Sequence, residues 1–387
     1  MADASSLPVV IVGSGLAGYT IAREFRKRDK LTPLVVVSRD HAGFYSKPML
    51  SNALSGRKDA STLVMKSATQ MADELPATVL AHTEVRRIDT FARVVHLANR
   101  EPLAYRDLVL ALGADAIRLP LEGDGAADVL SVNDLDDYVR FADRLDGVSR
   151  VAILGAGLIG CEFANDLLAR SITPTVIDPA AGPLSRLLPV AAGEWMRARL
   201  EAAGVRFRFG LAAISALRNA DGYSLDLTDG SRVEADLVLS AIGLRPRSGL
   251  AREAGLVVQR GIVADRHLAT SAAHVYAVGD CAEVEGHTLP YVMPIMQQAR
   301  ALAATLSGTP TAVSYAAMPV LVKTPACPTI VCPPPLGAAG DWSLRSDADA
   351  LEARFCDADG TLLGFVLMGS ATAQRQALAA QVPALLA

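Results

Sequence analysis

The chain has 387 residues, of which 51% are hydrophobic and 20% charged, and its formal net charge is −4. This length exceeds that of one ordinary domain, and the composition is that of a folded globular protein, which excludes a disordered or nucleic-acid-binding chain. The uncharged stretch at residues 324–340 is rich in proline and cannot form a membrane helix. Residues 1–13 carry no pattern of a secretory signal, so we expect a cytoplasmic protein without membrane insertion.

A glycine-rich turn follows the first predicted strand. The apolar run at residues 8–12 ends in three glycines with G-x-G-x-x-G spacing: Gly13, Gly15 and Gly18. A helical pattern and a second apolar strand at residues 34–38 follow, and in this βαβ context the glycines let the helix N-terminus approach a pyrophosphate. The second strand ends in three polar residues, any of which could hold a ribose: Ser38, Arg39 and Asp40.

The same βαβ pattern recurs at residues 150–178. Its glycines are Gly155, Gly157 and Gly160. Its second strand ends in Asp178, the position of an acid that hydrogen-bonds the ribose hydroxyls, and no arginine follows to receive a 2′-phosphate. NADH is therefore favoured over NADPH, and two such units in one chain predict two different dinucleotides.

Buried-strand patterns at residues 106–114 and 236–246 bracket the second unit, which indicates that it is inserted into the first. A further strand pattern at residues 270–284 contains Gly279 and Asp280. The predicted domains are residues 1–112 with 244–312, residues 113–243, and residues 313–387. In the third domain we predict strands at 351–357 and 361–369 and one helix at 371–386.

The ordered set GSGLAG, LALGA, GAGLIGCE, LSAIGLRP and YAVGDCAEV, over residues 8 to about 310, resembles the superfamily of FAD-dependent NADH reductases with two dinucleotide sites. The resemblance implies an α/β fold like that of glutathione reductase: two Rossmann-like domains, with the NADH domain inserted in the FAD domain, and a small α+β C-terminal domain. FAD would be tightly bound and NADH the substrate. Asp280 would hydrogen-bond the ribityl chain, and the helix within residues 289–308 would point its N-terminus at the flavin.

The five cysteines do not fit a disulfide reductase. Related disulfide reductases carry a redox-active cysteine early in the chain, whereas the first cysteine here is Cys161. Cys327 and Cys332 have C-x4-C spacing, but they lie late, in a proline-rich segment, and we interpret them as thiols on a strand of the third domain. Their role stays open, and we expect no metal site.

Two further segments resemble those of reductases that pass electrons to an external acceptor. KPMLSN, residues 47–52, resembles a segment of reductases that serve iron–sulfur carriers, which implies that Lys47 and Pro48 contact FAD. Asn52 replaces a family lysine that pairs with the acid corresponding to Glu162, so Glu162, expected at the nicotinamide carboxamide, would lack its cation. MPVLVKTPACP, residues 318–328, is similar to the C-terminal segment of rubredoxin reductases, which implies that Lys323 lies against the flavin ring and can substitute for the missing cation.

The resemblance thus implies hydride transfer from NADH to FAD and single electrons passed to rubredoxin, a small acidic iron protein, for example in alkane hydroxylation. We expect no acid or base catalyst, and the candidates that tune the flavin are Lys323, Lys47 and Glu162. Ten basic and four acidic residues between Arg23 and Lys66 favour an acidic partner, although a solvated helix face explains them equally well. Two alternatives stay open: a reductase of a two-iron ferredoxin in an oxygenase system, and an NADH oxidase or sensor without a carrier.

Overall fold

The structure is a computed structural model that describes residues 7–386. The first elements of the chain are β1 (Val9–Val12), α1 (Leu16–Arg28), β2 (Leu34–Val37), α2 (Ala60–Leu63), α3 (Ala68–Glu74), β3 (Thr78–Leu80), β4 (Val85–Asp89), β5 (Val94–Leu97), β6 (Leu103–Ala104) and β7 (Asp107–Leu110). β1 pairs in parallel with β2 on one side and β7 on the other, and all three strands are buried. Their nearly unbroken apolar sequences are typical of a parallel sheet covered on both faces. β4, β5 and β6 form a separate antiparallel sheet.

The second part of the chain repeats this plan. Its elements are β8 (Ala114–Ala116), α4 (Leu135–Asp143), β9 (Arg150–Leu154), α5 (Leu158–Leu168), β10 (Thr173–Asp178), α6 (Val190–Ala202), β11 (Arg206–Phe209), β12 (Ala213–Asn219), β13 (Gly222–Leu227), β14 (Arg232–Ala235), β15 (Leu237–Ser240) and β16 (Leu244–Pro246). A parallel sheet has the order β11-β10-β9-β15, and β12, β13 and β14 form an antiparallel sheet. As in the first part, the strand that enters the glycine turn is central.

The chain then returns to the first sheet. β8 and β16 pair as an antiparallel ribbon, and after it come α7 (Gly249–Glu253), β17 (Ile262–Ala264), β18 (Val275–Ala277), β19 (Ala282–Val284) and α8 (Val292–Leu306). β18 pairs in parallel with β7, which completes a sheet of order β18-β7-β1-β2-β3. The second unit is therefore inserted between two halves of the first. The ribbon takes one strand from each side of this insertion, so the domain boundaries proposed from sequence stay predictions.

The last part of the chain is an antiparallel sheet. The sheet contains β20 (Val320–Val322), β21 (Thr329–Cys332), β22 (Asp341–Ser346), β23 (Ala350–Cys356) and β24 (Leu362–Gly369), in the order β20-β21-β24-β23-β22. The helix α9 (Arg375–Ala379) follows it in the chain. β23 and β24 match the predicted strands. The single helix predicted at 371–386 is wrong: a 3-10 turn at Ser370–Gln374 precedes the five-residue α9. Pro383 lacks the N–H and restricts the residue before it, and Leu386 instead bridges to Tyr315.

Two large apolar cores hold these sheets together. One fills the first parallel sheet and its helices. The other joins the inserted unit to the C-terminal sheet, since Phe163 of α5 and Met196 of α6 belong to the same buried cluster as Val322 and Val331. This shared core places the C-terminal end of β20 beside α5. No helix within residues 7–386 is long and apolar enough to cross a membrane.

Candidate dinucleotide and electron-transfer site

The two glycine turns have the same geometry. A Cβ atom on Gly18 would lie 1.9 Å from the carbonyl oxygen of Gly13, and one on Gly160 would lie 1.9 Å from that of Gly155. No side chain fits such a contact with backbone, so glycine is required for each helix to pack against its strand. The internal repeat seen in the sequence is therefore a repeat of three-dimensional structure.

The middle glycine of each turn faces open space. A Cβ on Gly15 or Gly157 would meet no described atom within 4 Å. α1 begins after Gly15 and α5 after Gly157; neither helix has a side-chain cap or an acidic residue in its first turn. Their first N–H groups are left for an anion, which the helix dipole also favours. Both turns therefore fit the pyrophosphate of a dinucleotide.

At the end of β2, two of the three candidate ribose residues face the glycine turn. The Asp40 carboxylate accepts hydrogen bonds from Ser38 Oγ at 2.7 Å and Ser14 Oγ at 3.3 Å. Burial raises the pKa of Asp40, but the hydrogen bonds from Ser38, Ala42 N and Ser14, together with the charge of His41, more than offset this, and the pKa lies below its ordinary value. Arg39 is exposed instead, 4.0 Å from Asp115. The geometry favours Ser38 and Asp40 over Arg39 as the ribose partners.

Asp178, at the end of β10, connects the second glycine turn to the loop that follows. Its Oδ2 accepts a hydrogen bond from Ala156 N at 2.6 Å, and its Oδ1 accepts one from Ala180 N at 2.7 Å. Leu184 N donates in turn to Ala156 O at 2.8 Å, so the loop folds back over the turn. The carboxylate is thereby held at the tip of the strand, where a ribose-binding acid belongs.

Lys47 and Asp280 of the first unit interact electrostatically without a direct bond. Lys47 begins the 3-10 helix Lys47–Asn52, in which Pro48 occupies the first turn. Burial lowers the pKa of Lys47, and the charge of Asp280 opposes this shift. Burial raises the pKa of Asp280, and the charges of Lys47 and Arg247 oppose that shift. Within residues 7–386, no hydrogen bond or ion pair reaches either charged group. Such half-buried and unpartnered charged groups fit a polar cofactor lying between them.

Lys323 supplies the positive charge beside Glu162 that Asn52, which replaces the family lysine, cannot supply. Glu162 is 2% exposed. Its Oε2 forms an ion pair with Lys323 Nζ and accepts a hydrogen bond from Ser51 Oγ at 2.5 Å, while its Oε1 accepts one from Lys323 N at 3.0 Å. Three parts of the chain meet here: the 3-10 helix, α5 and the end of β20. Lys323 is thus found where the sequence resemblance suggested a substitute cation for Glu162. Sequence reasoning missed only the contribution of Ser51.

The thiols are packed as small apolar groups. All five cysteines are free, and burial raises the pKa of Cys281 and of Cys332 to about 11 each. Cys327 and Cys332 belong to separate apolar clusters. A reactive cysteine requires a lowered pKa and access to solvent, so this pair lacks the features of a redox dithiol. No group of three or more His, Cys, Asp or Glu in the described chain could hold a metal.

Several basic side chains between Arg23 and Lys66 already pair with other groups of the same chain. Arg23 and Lys66 both pair with Glu74, and Lys27 pairs with Glu24. Arg26 donates to four backbone carbonyl oxygens. The local charge excess therefore gives weaker support for an acidic partner than the count of residues suggests.

Two Rossmann-like units with uncapped glycine turns, joined to a sheet that supplies Lys323, define a reductase fold with two dinucleotide sites. The chain belongs to the pyridine nucleotide-disulphide oxidoreductase family, whose model matches residues 7–305, and residues 312–382 match the rubredoxin binding C-terminal domain. Members of this family bind FAD and use NAD(H), so the protein is an oxidoreductase with these cofactors.

Relatives of known name match over nearly the whole chain. The rubredoxin-NAD(+) reductase of Alcanivorax borkumensis is 48% identical over 98% of this chain and 99% of its own length. That of Acinetobacter baylyi is 46% identical over 96% of each chain. Among solved structures, a ferredoxin reductase from Rhodopseudomonas palustris has a TM-score of 0.88 at 25% identity, covering 97% of this chain and 95% of its own.

Proposed function

We propose that the protein is an NADH:rubredoxin oxidoreductase. One observation carries this proposal: the C-terminal sheet, which matches the rubredoxin binding domain, supplies Lys323 to Glu162 of the inserted unit. The segment expected to receive the electron acceptor and the helix expected to receive NADH thus meet at one ion pair. Both relatives described above are named for the same reaction.

We assign FAD to the first unit. Support comes from the open glycine turn, from the hydrogen-bonded carboxylate at the end of β2, and from the half-buried, unpartnered charges of Lys47 and Asp280. The residues proposed to hold FAD are Gly13, Gly15, Gly18, Ser38, Asp40, Lys47, Pro48, Asp280 and Lys323. Arg39, also a candidate from the sequence, stays a prediction with less support.

We assign NADH to the inserted unit. The residues proposed to hold it are Gly155, Gly157, Gly160, Glu162 and Asp178. The carboxylate of Asp178 accepts hydrogen bonds readily but repels a 2′-phosphate, which supports NADH over NADPH. Glu162, in the first turns of α5, is the acid proposed to meet the nicotinamide end.

Bound FAD would supply the redox chemistry, namely acceptance of a hydride and release of single electrons. The residues of the chain supply orientation and charge. Lys323 and Lys47 place two positive charges at the site, and Glu162 holds Lys323 in one position from two directions. Preorganised charges of this kind stabilise negative charge that develops during a reaction. No side chain is assigned as a general acid or base.

The acceptor is tested by reduction of cytochrome c by NADH in the presence of catalytic amounts of a carrier. Rubredoxin, a two-iron ferredoxin and no carrier are compared in parallel, with NADPH in place of NADH as the control for the nucleotide. We expect rubredoxin to raise the rate by orders of magnitude. A rate raised by the ferredoxin alone would assign the other carrier, and rapid oxygen consumption without any carrier would indicate an oxidase.

The setting of the reaction is also a proposal. An alkane-hydroxylating system in the cytoplasm needs reduced rubredoxin, and we propose that this protein supplies it. Growth on alkanes, compared between a strain that lacks the gene and its parent, tests the pathway. Cell fractionation tests the location.

A further inference from the structure

One face of α5 is polar although the helix is buried. Asn165 and Asp166 follow Glu162 by three and four residues. Both therefore project from the side of the helix that carries Glu162. Glu162, Asn165 and Asp166 are 2%, 8% and 1% exposed, respectively. Polar side chains buried to this degree are costly unless they are bonded, so their partners show what the face does.

Asp166 holds the turn that follows the 3-10 helix. Its Oδ2 accepts a hydrogen bond from Leu54 N at 3.0 Å, and its Oδ1 accepts one from Ser55 N at 2.8 Å. Ser51, which donates to Glu162, lies three residues before this turn. Burial raises the pKa of Asp166, opposed by these hydrogen bonds and by the charge of Lys323. The carboxylate therefore fixes the segment that carries Ser51.

Asn165 holds the other segment of the site. Its Oδ1 accepts a hydrogen bond from Ala326 N at 3.0 Å. The turn from Thr324 to Cys327 is closed on itself, since Cys327 N donates to Thr324 O at 2.8 Å and Thr324 Oγ1 donates to Cys327 O at 2.7 Å. A rigid turn held at Ala326 also fixes Lys323, which immediately precedes it.

We propose that Asn165 and Asp166 are positioning residues that set the geometry of the Lys323–Glu162–Ser51 cluster. Asp166 binds the turn after Ser51, and Asn165 binds the turn after Lys323. Ser51 and Lys323 are thereby held in fixed directions relative to Glu162. α5 also begins at the glycine turn assigned to the NADH pyrophosphate, so one rigid helix links nucleotide binding to the charge at the flavin. The inference rests on the proposed function in taking Lys323 to lie at the reacting ring.

The test compares two variants with two matched controls in the FAD-loaded protein. Asn165→Ala is paired with Asn219→Ala, whose Oδ1 accepts a hydrogen bond from Asp221 N at the same distance of 3.0 Å on an exposed hairpin. Asp166→Asn is paired with Asp236→Asn, whose carboxylate also accepts hydrogen bonds from two consecutive backbone N–H groups, those of Ser149 and Arg150. The controls remove these hydrogen bonds away from the cluster; Asn219→Ala also removes the bond from its Nδ2 to Glu234, and Asp236→Asn also weakens the ion pair with Arg150.

Two quantities are measured for each variant. The first is the rate of flavin bleaching at saturating NADH without oxygen, together with the NADH concentration that gives half of that rate. The second is the midpoint potential of the flavin, determined with a chemical reductant. We expect the Asn165 and Asp166 variants to bleach about 10- to 100-fold more slowly, because small misplacements of charged groups have such effects. Their half-saturating NADH concentration should stay within twofold, and their midpoint potential should fall.

Bleaching at the wild-type rate with an unchanged potential would overturn the inference, as would equal slowing in the controls. If Asp166→Asn fails to fold, Asn165→Ala alone decides between these outcomes. The midpoint potential needs neither NADH nor rubredoxin. A wild-type flavin that NADH does not bleach would therefore refute the proposed function, while the potentials of the variants would still decide the inference.

Discussion

Lys323→Met should destabilise the protein by leaving Glu162 charged and buried. The Glu162 side chain is 3% exposed, that of Lys323 is 23% exposed, and methionine retains most of the packing of the lysine stem. Loss of one partner of a buried ion pair typically costs about 3–5 kcal/mol. Because Ser51 Oγ and the backbone N–H of residue 323 still donate to the carboxylate, we expect a loss near 3 kcal/mol.

The pairing itself is tested by a double-mutant cycle. Glu162→Gln removes the charge, so adding it to Lys323→Met should recover about 2 kcal/mol, the coupling expected for residues in direct contact. The four proteins are compared by urea unfolding of the FAD-loaded form at neutral pH, followed by circular dichroism. If Lys323→Met unfolds at the wild-type urea concentration, or if the two substitutions are additive, the ion pair does not stabilise the folded protein and the burial of Glu162 must be compensated by other groups.

Three further predictions concern other parts of the molecule. Gly157→Ala should leave folding and FAD content unchanged but raise the KM for NADH at least tenfold, because its Cβ enters only the space left for the pyrophosphate; steady-state kinetics check this. Hydrogen bonds from Arg23 and Lys66 lower the pKa of Glu74 to about 2, so the advantage of wild type over Glu74→Gln should be present above pH 4.5 and disappear as the pH falls through about 2 in urea titrations. For this exposed group it should amount to about 0.5 kcal/mol. The double substitution Cys327→Ser and Cys332→Ser should leave the turnover number unchanged; a large loss would restore a redox role to these thiols.

The repeated unit could be predicted from sequence because its signals are local. In both copies the strand, the glycine spacing and the helix lie within about 30 residues, and the glycines are required by backbone contacts inside the same unit. The strand that completes the first sheet is also recognisable, since the apolar run at Val275–Ala277 precedes a glycine turn. These features depend little on the rest of the fold.

Only the resemblance of residues 318–328 to a family segment, and no local signal, indicated the Lys323–Glu162 pair. Its partners are 161 residues apart and meet only because the C-terminal sheet shares a core with the inserted unit. One local signal of a buried polar site is present in the sequence: Glu162, Asn165 and Asp166 are polar residues in the otherwise apolar stretch CEFANDLL. The helix predicted near the C-terminus is wrong for a local reason, since Pro383 restricts the backbone before it.

The insertion has a consequence for the order in which the protein folds during synthesis. The sheet of the inserted unit is complete once Ser240 has been made, whereas the first sheet still lacks β18, whose Val275 pairs with Leu108. Pairings between distant residues form late, and domains fold as units while the chain emerges. The middle of the chain should therefore reach its native state before the beginning does. Limited proteolysis of nascent chains arrested between the emergence of β16 and of β18 should yield a protected fragment that contains the inserted unit but not β1.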